Sequence, residues 1–447
     1  MVLPACTRRW LALFAGTNKW ANGLNGQAMY RIWDFITSYS ILLISGAVAA
    51  LFWANLDLGS YHQFIHTPLL LNHWVGELEP GSDMRVLSVG FLINDILMAL
   101  FFAIAAKEVW EAVALKSGSL RGKKALTPLI ATAGGMTGPV LVFLGLAFFV
   151  WPSTFNDVAH GWAIPTATDI AFSYLVGRLV FGAGHPAVRF LLLLAIADDA
   201  GGLIILAIFY PSGDLAPLWL LVSLASALSV FFLFNWLPIR LDRGDALRPA
   251  STWVRRHLSI WPYVIAGVIS WYSFQRAGIH PALGLLPIVP TIPHADRAFG
   301  IFAEAEQHLG DLLNRLEHML QVPVEIVLFF FGLANAGVAL SSVSEPTALV
   351  VLGLLIGKPL GIFSFGWVAA RVFRLGLPAG MRTADLVVVG CVAAIGFTVA
   401  LFVATVAFKA GPVQDAAKMG ALLSFAAAGV SVIAGKLFGV TKKHEKS

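Results

Sequence analysis

A series of apolar runs, each long enough to cross a lipid bilayer, dominates the chain. A spanning helix needs about 17–25 mostly apolar residues. Eleven such runs lie near residues 35–55, 87–106, 125–150, 163–182, 188–210, 216–238, 259–276, 324–341, 347–370, 385–408 and 418–438. A shorter run near 279–293 contains four prolines and is predicted as a distorted twelfth span. The pattern predicts an all-α polytopic membrane protein.

Composition supports this class and argues against several others. Of the 447 residues, 58% are hydrophobic and 12% are charged, and the mean hydropathy is +0.79. A soluble domain could not bury so much apolar surface. The two cysteines, Cys6 and Cys391, suit neither a disulfide framework nor a thiolate metal site. The formal net charge of +5 is spread over short loops. It therefore predicts the membrane topology and does not indicate a nucleic-acid partner.

Loop charges predict the side of the membrane on which each loop lies. Loop 107–124 has five basic residues against two acidic ones, and loop 239–258 has five arginines against two aspartates, so both are predicted inside. Loop 56–86 has four acidic residues against one arginine and is predicted outside. Loop 294–323 is predicted inside although it is acidic. With twelve spans the sides alternate, and both termini are cytoplasmic.

This topology divides the chain into three parts. A cytoplasmic tail (1–33) precedes a single twelve-helix domain (34–438), and a short cytoplasmic tail (439–447) follows it. Within the external loop 56–86, the turn residues at 79–82 give the segment the pattern of a β-hairpin. We expect this hairpin to serve as a homodimerisation element; a plain loop is the alternative.

Two adjacent carboxylates, Asp198 and Asp199, lie inside the apolar run Leu191–Gly202 (LLLLAIADDAGG). Each charge at bilayer depth costs roughly 2.5–3.5 kcal/mol, so such residues usually mark a functional site. The two side chains point about 100° apart around a helix, so both can face the interior only where that helix borders a cavity. The alternative is a pair at a helix end in contact with water.

The preceding span contains AIPTATDIAF (Ala163–Phe172), which has the features of an interrupted helix. Pro165 removes a backbone donor, while Thr166 and Thr168 place hydroxyl groups near Asp169. Irregular backbone at membrane depth is tolerated where it lines a cavity. The alternative role for Asp169 is a helix cap.

A buried cation and a second helix break complete the intramembrane features. Lys358 lies within GLLIGKPLGIF (Gly353–Phe363) and needs a carboxylate partner. The alternative is that its long side chain snorkels, which places the ammonium group at the inner membrane surface. Asp95, expected nearer the inner part of the second span, is a further acidic candidate. Gly396 and Thr398 interrupt the eleventh span without any charge.

Taken together, AIPTATDIAF, AIADDAGG, GKPLGIF and AIGFTVALF, in this order, resemble the NhaA family of bacterial sodium/proton antiporters. The resemblance covers most of the chain. Further matching segments are FLINDILMALFF (Phe91–Phe102), GIHPAL (Gly278–Leu283), RLEHML (Arg315–Leu320) and FGLANAGVAL (Phe331–Leu340).

The resemblance implies twelve transmembrane helices with inverted repeats, in a bacterial inner membrane. It also implies that the fourth and eleventh helices are discontinuous and cross at the ion site. Carried over by motif, Asp199 is the main ligand of the transported Na+, Asp198 is its neighbour that pairs with Lys358, and Asp169 with Thr168 forms the polar group at the crossing. Glu108, His280, Glu317 and His318 fall where the family has residues linked to pH response.

The sequence departs from the family pattern near these pH-linked positions. Glu108 is followed by Val-Trp-Glu-Ala, whereas the family usually continues with a Lys-Arg-Glu cluster. Gln321 stands where a further histidine is common.

The resulting functional hypothesis is export of Na+ or Li+ in exchange for external protons, with two protons per Na+ and net charge movement. No cofactor and no enzymatic activity are expected. The alternative is a sodium-coupled symporter of a small organic solute. An intramembrane aspartyl protease would need facing aspartates such as Asp169 and Asp199, but the Gly-x-Gly-Asp pattern is absent from the sequence. A structural or sensor protein would gain nothing from buried charge.

Overall fold

The computed structural model describes residues 41–79, 81–114, 120, 123–242, 249–293 and 312–443. The predicted N-terminal tail with Cys6, most of the acidic part of loop 294–323 and the last four residues of the C-terminal tail lie outside these residues.

The described chain is mainly helical, as the apolar runs predict. The helices are α1 (Ile41–Leu56), α2 (Leu58–Ile65), α3 (Val89–Ala114), α4 (Lys123–Phe149), α5 (Phe155–Val158), α6 (Ile170–Phe181), α7 (Pro186–Phe209), α8 (Leu218–Asp242), α9 (Pro249–Trp253), α10 (Trp261–Ala277), α11 (Leu312–Asn335), α12 (Glu345–Val372), α13 (Thr383–Ala393), α14 (Phe397–Ala407) and α15 (Pro412–Leu437). A π-helical turn interrupts each of α3, α8 and α12, a second one forms the C-terminal end of α12, and another extends α9.

Within the described residues, seven helices are long and apolar enough to span a membrane, or eight if α13 and α14 count as one span bent by 54°. Helices α1 and α6 are apolar but shorter. The proline-rich segment 279–293 forms only two short 3-10 turns, Pro281–Leu283 and Val289–Thr291. The chain is therefore a multi-pass helical membrane protein.

A small β-sheet departs from the all-α prediction. Strands β1 (Pro68–Asn72), β2 (Glu77–Leu78) and β3 (Arg85–Ser88) form an antiparallel sheet in the order β1-β3-β2. Strands β2 and β3 form the hairpin that the turn residues indicate. The sheet leads directly into α3, which begins at Val89.

Helix α3 also extends further than the sequence prediction. The sequence predicts Lys107, Glu108 and Glu111 in a loop, but they lie on α3 and are at most 8% exposed. Lys107 Nζ lies 2.9 Å from Glu111 Oε2, one turn further along the helix. The helix can continue because these opposite charges lie on the same face and compensate one another.

Helices α4 and α12 approach so closely that their backbones touch. A Cβ atom on Gly134 would overlap the carbonyl oxygen of Gly361, and one on Gly138 would overlap that of Gly357. Small residues permit such contact between membrane helices. The contact fixes the part of α12 that carries Lys358.

Two interruptions of helical structure meet inside the bundle. A 3-10 segment, Ala159–Thr166, is followed by extended backbone at Ala167 before α6 begins. The second break separates α13 from α14, where the NH group of Asp169 donates a hydrogen bond of 2.7 Å to the Ile395 carbonyl. Both breaks occur where Pro165 and Gly396 indicate them. Because each break exposes backbone polar groups, their contact lets the groups satisfy one another.

Candidate ion-binding site

Asp198 and Lys358 form a buried ion pair at the centre of the site. Lys358 Nζ lies 2.8 Å from Asp198 Oδ2, and the two residues are 0% and 2% exposed. Lys358 Nζ also donates to the carbonyl oxygen of Thr166, at the end of the 3-10 segment. The hydroxyl group of Thr168 donates to the same Asp198 oxygen, at 2.6 Å. The lysine on α12 therefore connects the α7 carboxylate to the first helix break.

Asp199 lies beside this pair and is half-buried. It borders, with Asp198, a small cavity of about 10 Å³ that is also lined by Phe102, Ala105 and Val399. We call this space the aspartate cavity; its volume is close to the minimum that holds one water molecule. Asp198 Oδ1 and Asp199 Oδ1 are buried and accept no hydrogen bond. Buried polar atoms are normally paired, so two free carboxylate oxygens in one place indicate a ligand site.

Asp169 caps two helices at once. Its Oδ1 accepts a hydrogen bond from the NH of Phe172 in the first turn of α6, at 3.1 Å. Its Oδ2 accepts from the hydroxyl and NH groups of Thr398 in the first turn of α14, at 2.7 and 3.3 Å. A carboxylate at a helix N-terminus also opposes the partial positive charge of the helix dipole. Asp169 is therefore a helix cap, and it also joins the two helix breaks.

Asp198 pairs directly with Lys358, and Asp199 lies close enough to Asp198, Asp169 and Lys358 to interact with their charges. Neighbouring carboxylates cannot all ionise cheaply in a low-dielectric environment. The arrangement can therefore exchange cations for protons, because either would relieve the repulsion. No group of three or more His, Cys, Asp or Glu side chains within the described ranges could hold a metal ion, so any cation here would also need other oxygen atoms.

The residues assigned to pH response fall into separate places. Glu317 and Glu108 meet at Lys107, whose Nζ lies 2.6 Å from Glu317 Oε2 and 3.7 Å from Glu108 Oε1. His280 lies elsewhere, with its Nδ1 3.6 Å from Asp95 Oδ1. His318 is exposed. In the sequence, Lys107 counts only toward the charge of its loop, although its spacing of four residues from Glu111 also fits an ion pair on a helix.

Asp95 and His280 lie at a larger cavity of about 710 Å³, which we call the sheet-side cavity because Glu77 of β2 and Arg85 of β3 also line it. Asp95 lies in the second turn of α3, at the end of the helix that follows the sheet. The prediction of an external loop 56–86 and the prediction that Asp95 lies nearer the inner part of the second span are therefore incompatible with each other.

The sheet-side cavity contains a polar group that the sequence analysis missed. Asn335 Nδ2 donates to Asn94 Oδ1 at 2.7 Å, and the Thr405 hydroxyl donates to Asn335 Oδ1 at 3.0 Å. All three residues line the cavity. Neutral amide and hydroxyl side chains cost less to insert into a membrane than charged ones, so they do not stand out in the sequence. Only the tertiary structure, which brings three helices together, reveals this cluster.

Comparison with known proteins identifies the family. The Na+/H+ antiporter 1 family model matches residues 32–435. The Na+/H+ antiporter NhaA of Jannaschia sp. (strain CCS1) is 68% identical over 418 residues, which cover 93% of this chain and 100% of that protein. The protein of the same name from Geobacter sulfurreducens is 42% identical over 413 residues, covering 92% and 98%.

Among solved structures, the sodium proton antiporter MjNhaP1 from Methanocaldococcus jannaschii aligns over 91% of this chain and 97% of that chain. The TM-score is 0.42 at 15% identity, too low to carry residue positions across. The family model and the NhaA relatives cover almost the entire chain, and the chain belongs to the Na+/H+ antiporter 1 family.

Proposed function

We propose that the chain exchanges Na+ or Li+ for protons across the bacterial inner membrane, at a site formed by Asp198 and Asp199. Membership in a family of transporters, which is not an enzyme class, supports this proposal. The single observation that carries it is the pair of unpaired buried oxygens, Asp198 Oδ1 and Asp199 Oδ1, at the aspartate cavity. Hard cations prefer oxygen ligands, and a carboxylate oxygen can equally take a proton.

Competition for these oxygens gives the exchange. Lys358 neutralises Asp198. A Na+ ion bound between the aspartates would weaken that pair and take over Thr168 as a neutral oxygen ligand. Protonation of the aspartates would then expel the ion, because a protonated carboxyl is a poor ligand for a cation. No cofactor enters this cycle.

The fold that we propose for this cycle has twelve spans with inverted repeats, both termini in the cytoplasm, and two discontinuous helices that cross at Asp169. In this scheme the segment from Ala159 to Phe181 is the fourth span and α13 with α14 is the eleventh. Rocking of one part of the bundle against the other exposes the site to alternate sides. The sheet formed by β1, β2 and β3 is our candidate for a homodimer contact.

The site contains enough titratable carboxylates for two protons to exchange with one Na+. One net charge then moves per cycle, so a membrane potential contributes roughly 2.3 kcal/mol per 100 mV. That contribution would drive Na+ out against its gradient.

The direct test is Asp199→Asn in everted membrane vesicles, with dissipation of a pH gradient on addition of Na+ or Li+ as the readout. We expect the variant to lose cation-dependent dissipation, because the amide cannot exchange a proton. Asp83→Asn, at an exposed position next to the hairpin turn, is the matched control and should behave as the wild type. Full activity of Asp199→Asn would contradict the assignment.

A sodium-coupled symporter remains the second candidate because of one observation. The sheet-side cavity, at about 710 Å³, is large enough for a small organic solute. It does not include Asp199 among its lining residues, so solute and ion would bind apart. Sodium-driven uptake of labelled solutes into vesicles separates this candidate from the antiporter.

A further inference from the structure

Two helices connect the sheet-side cavity to the aspartate cavity. Along α3, Asn94 and Asp95 line the sheet-side cavity, whereas Phe102 and Ala105 line the aspartate cavity. Along α14 the order is reversed. Val399 lines the aspartate cavity, and Phe402 and Thr405 line the sheet-side cavity. The boundary between the cavities therefore falls at Phe102 and Phe402.

The rings of these two residues are in contact at that boundary. Their centroids lie 5.0 Å apart in an edge-to-face arrangement, and Phe102 and Phe402 are 3% and 1% exposed. The imidazole of His280 packs against Phe402 at 4.9 Å, and Phe331 lies 6.4 Å away. Phe402 is thus surrounded by rings, with the larger cavity on one side and Phe102 on the other.

Resting on the antiport function proposed above, we propose that Phe402 is a gate residue that closes against Phe102 and shuts the sheet-side cavity off from Asp199. An apolar constriction excludes hydrated ions because water cannot fill it at low cost. The two rings in contact then lie between a sodium ion at the aspartates and the sheet-side cavity. Phe402 is a positioning residue, since it controls access and does not ligate the ion.

The position of Phe402 couples the gate to the site. Phe402 lies one helical turn after Thr398, whose hydroxyl and NH groups bind Asp169. Motion of α14 at the break after Ala393 would therefore move the gate and the site together. His280 contributes a second connection, because it touches both Phe402 and Asp95.

Thiol labelling tests the gate directly. The reporter is Gly202→Cys, because a Cβ atom at Gly202 meets nothing within 4 Å and Gly202 lines the aspartate cavity. The background is Cys6→Ser with Cys391→Ser, which removes the only two cysteines of the sequence. Intact cells without Na+ are treated with a membrane-impermeant cationic methanethiosulfonate. Ala410→Cys, at an exposed position of the sheet-side cavity, is the positive control.

With Phe402 present we expect the reporter to react much more slowly than Ala410→Cys. Adding Phe402→Ala should raise the reporter's rate by about tenfold or more, equivalent to a barrier lower by about 1.4 kcal/mol. Phe102→Ala should give the same result from the opposite side, and it replaces Phe402→Ala if that variant does not fold. Phe143→Ala removes an equally buried ring that lines neither cavity, and it should leave the rate unchanged.

Three results would overturn the proposal. They are an equal reporter rate with and without the Phe402 ring, rapid labelling while both rings are present, and an equal increase from Phe143→Ala. Labelling does not depend on antiport. The proposed function is tested separately. For that test, Na+-dependent proton movement is measured in vesicles that contain the cysteine-free protein with Phe402 unchanged.

Discussion

At the scale of single residues, one carboxylate oxygen organises the site. Asp198 Oδ2 accepts hydrogen bonds from both Lys358 and Thr168, while Oδ1 of the same residue stays unpaired. The sequence predicts that Lys358 needs an acidic partner, but it offers four candidates. Lys358 pairs with Asp198 and not with Asp199 because of how α7 is oriented about its own axis and where the 3-10 segment lies. Neither feature follows from residue spacing.

Lys358→Met should destabilise the protein at neutral pH. Removing one partner of a buried pair leaves an uncompensated charge, which costs about 3–5 kcal/mol. Thermal unfolding of the detergent-purified protein at neutral pH measures this effect. Lys358→Arg keeps the charge and should retain more of the stability; identical melting of Lys358→Met and wild type would show that the pair contributes nothing.

At the scale of elements, the backbone contact between α4 and α12 holds the Lys358 segment in place. Gly361→Ala should separate these helices, because the new methyl group would occupy the position of the Gly134 carbonyl oxygen. Overpacking of this kind costs about 1–3 kcal/mol. We expect a lower melting temperature together with weaker Na+-dependent exchange, since Lys358 would move away from Asp198.

Gly145→Ala on α4 is the control for this change. A methyl group at Gly145 meets nothing within 4 Å, so stability should stay the same or rise slightly. Equal melting temperatures for the two alanine variants would contradict the role of the α4–α12 contact.

The loop between α6 and α7, which lies outside the predicted spans, contains a histidine that should make the stability of the fold depend on pH. His185 is 4% exposed, and its Nδ1 accepts the NH of Ala187 at the start of α7. Burial lowers the pKa of His185 from its usual 6.5, and the positive charges of Lys443 and Arg382 lower it further, against the opposing effect of Asp385. The neutral imidazole is therefore the form that stabilises the folded protein.

The lowered pKa of His185 determines how the free energy of unfolding changes with pH. The contribution of His185 is complete above about pH 6.5 and is lost as the pH falls below that value, because the unfolded chain then binds the proton more readily. His185→Asn keeps a capping side chain but cannot titrate, so its melting temperature should fall less between neutral and acidic pH than that of the wild type. Parallel melting curves for both proteins would exclude this role.

Element boundaries show where sequence reasoning succeeds and where it stops. Pro165 and Gly396 indicate both helix breaks because each perturbs the local backbone. The sequence does not predict that α3 continues through Lys107, because a charged stretch after an apolar run is typical of a loop. Only the position of Glu317, which pairs with Lys107, explains how the charge is buried. Glu317 is 210 residues away in the chain, so only the tertiary fold brings it there.

At the scale of the whole molecule, apolar runs predict a multi-pass helical protein but not which helices are neighbours, and seven or eight of the twelve predicted spans are long and apolar enough within the described residues. Runs of apolar residues mark spans whichever helices they contact, because lipid and protein interiors favour the same side chains. The meeting of α6 with α14 leaves no such pattern. The resemblance to a known family implied that crossing, and the contact between Asp169 and Thr398 is how the described structure joins the two breaks.

Net charge movement across the membrane involves the whole protein. If two protons exchange for one Na+, a membrane potential clamped with potassium and valinomycin in proteoliposomes should change the exchange rate. The potential at which net flux vanishes should shift with the ion gradients as one charge per cycle requires. A flux that ignores the potential would indicate one proton per Na+.

The double cap at Asp169 has a consequence for biosynthesis. The residue and its partner Thr398 are separated by 229 positions, so a membrane-inserting chain must deliver nearly all of its spans before this carboxylate can cap α14. Domains generally fold from the N-terminus during synthesis. The aspartates of α7 are therefore synthesised long before α14, whose Val399 lines the cavity beside them. A chain that ends before α14 would leave Asp169 without its Thr398 contacts and the aspartate cavity without Val399.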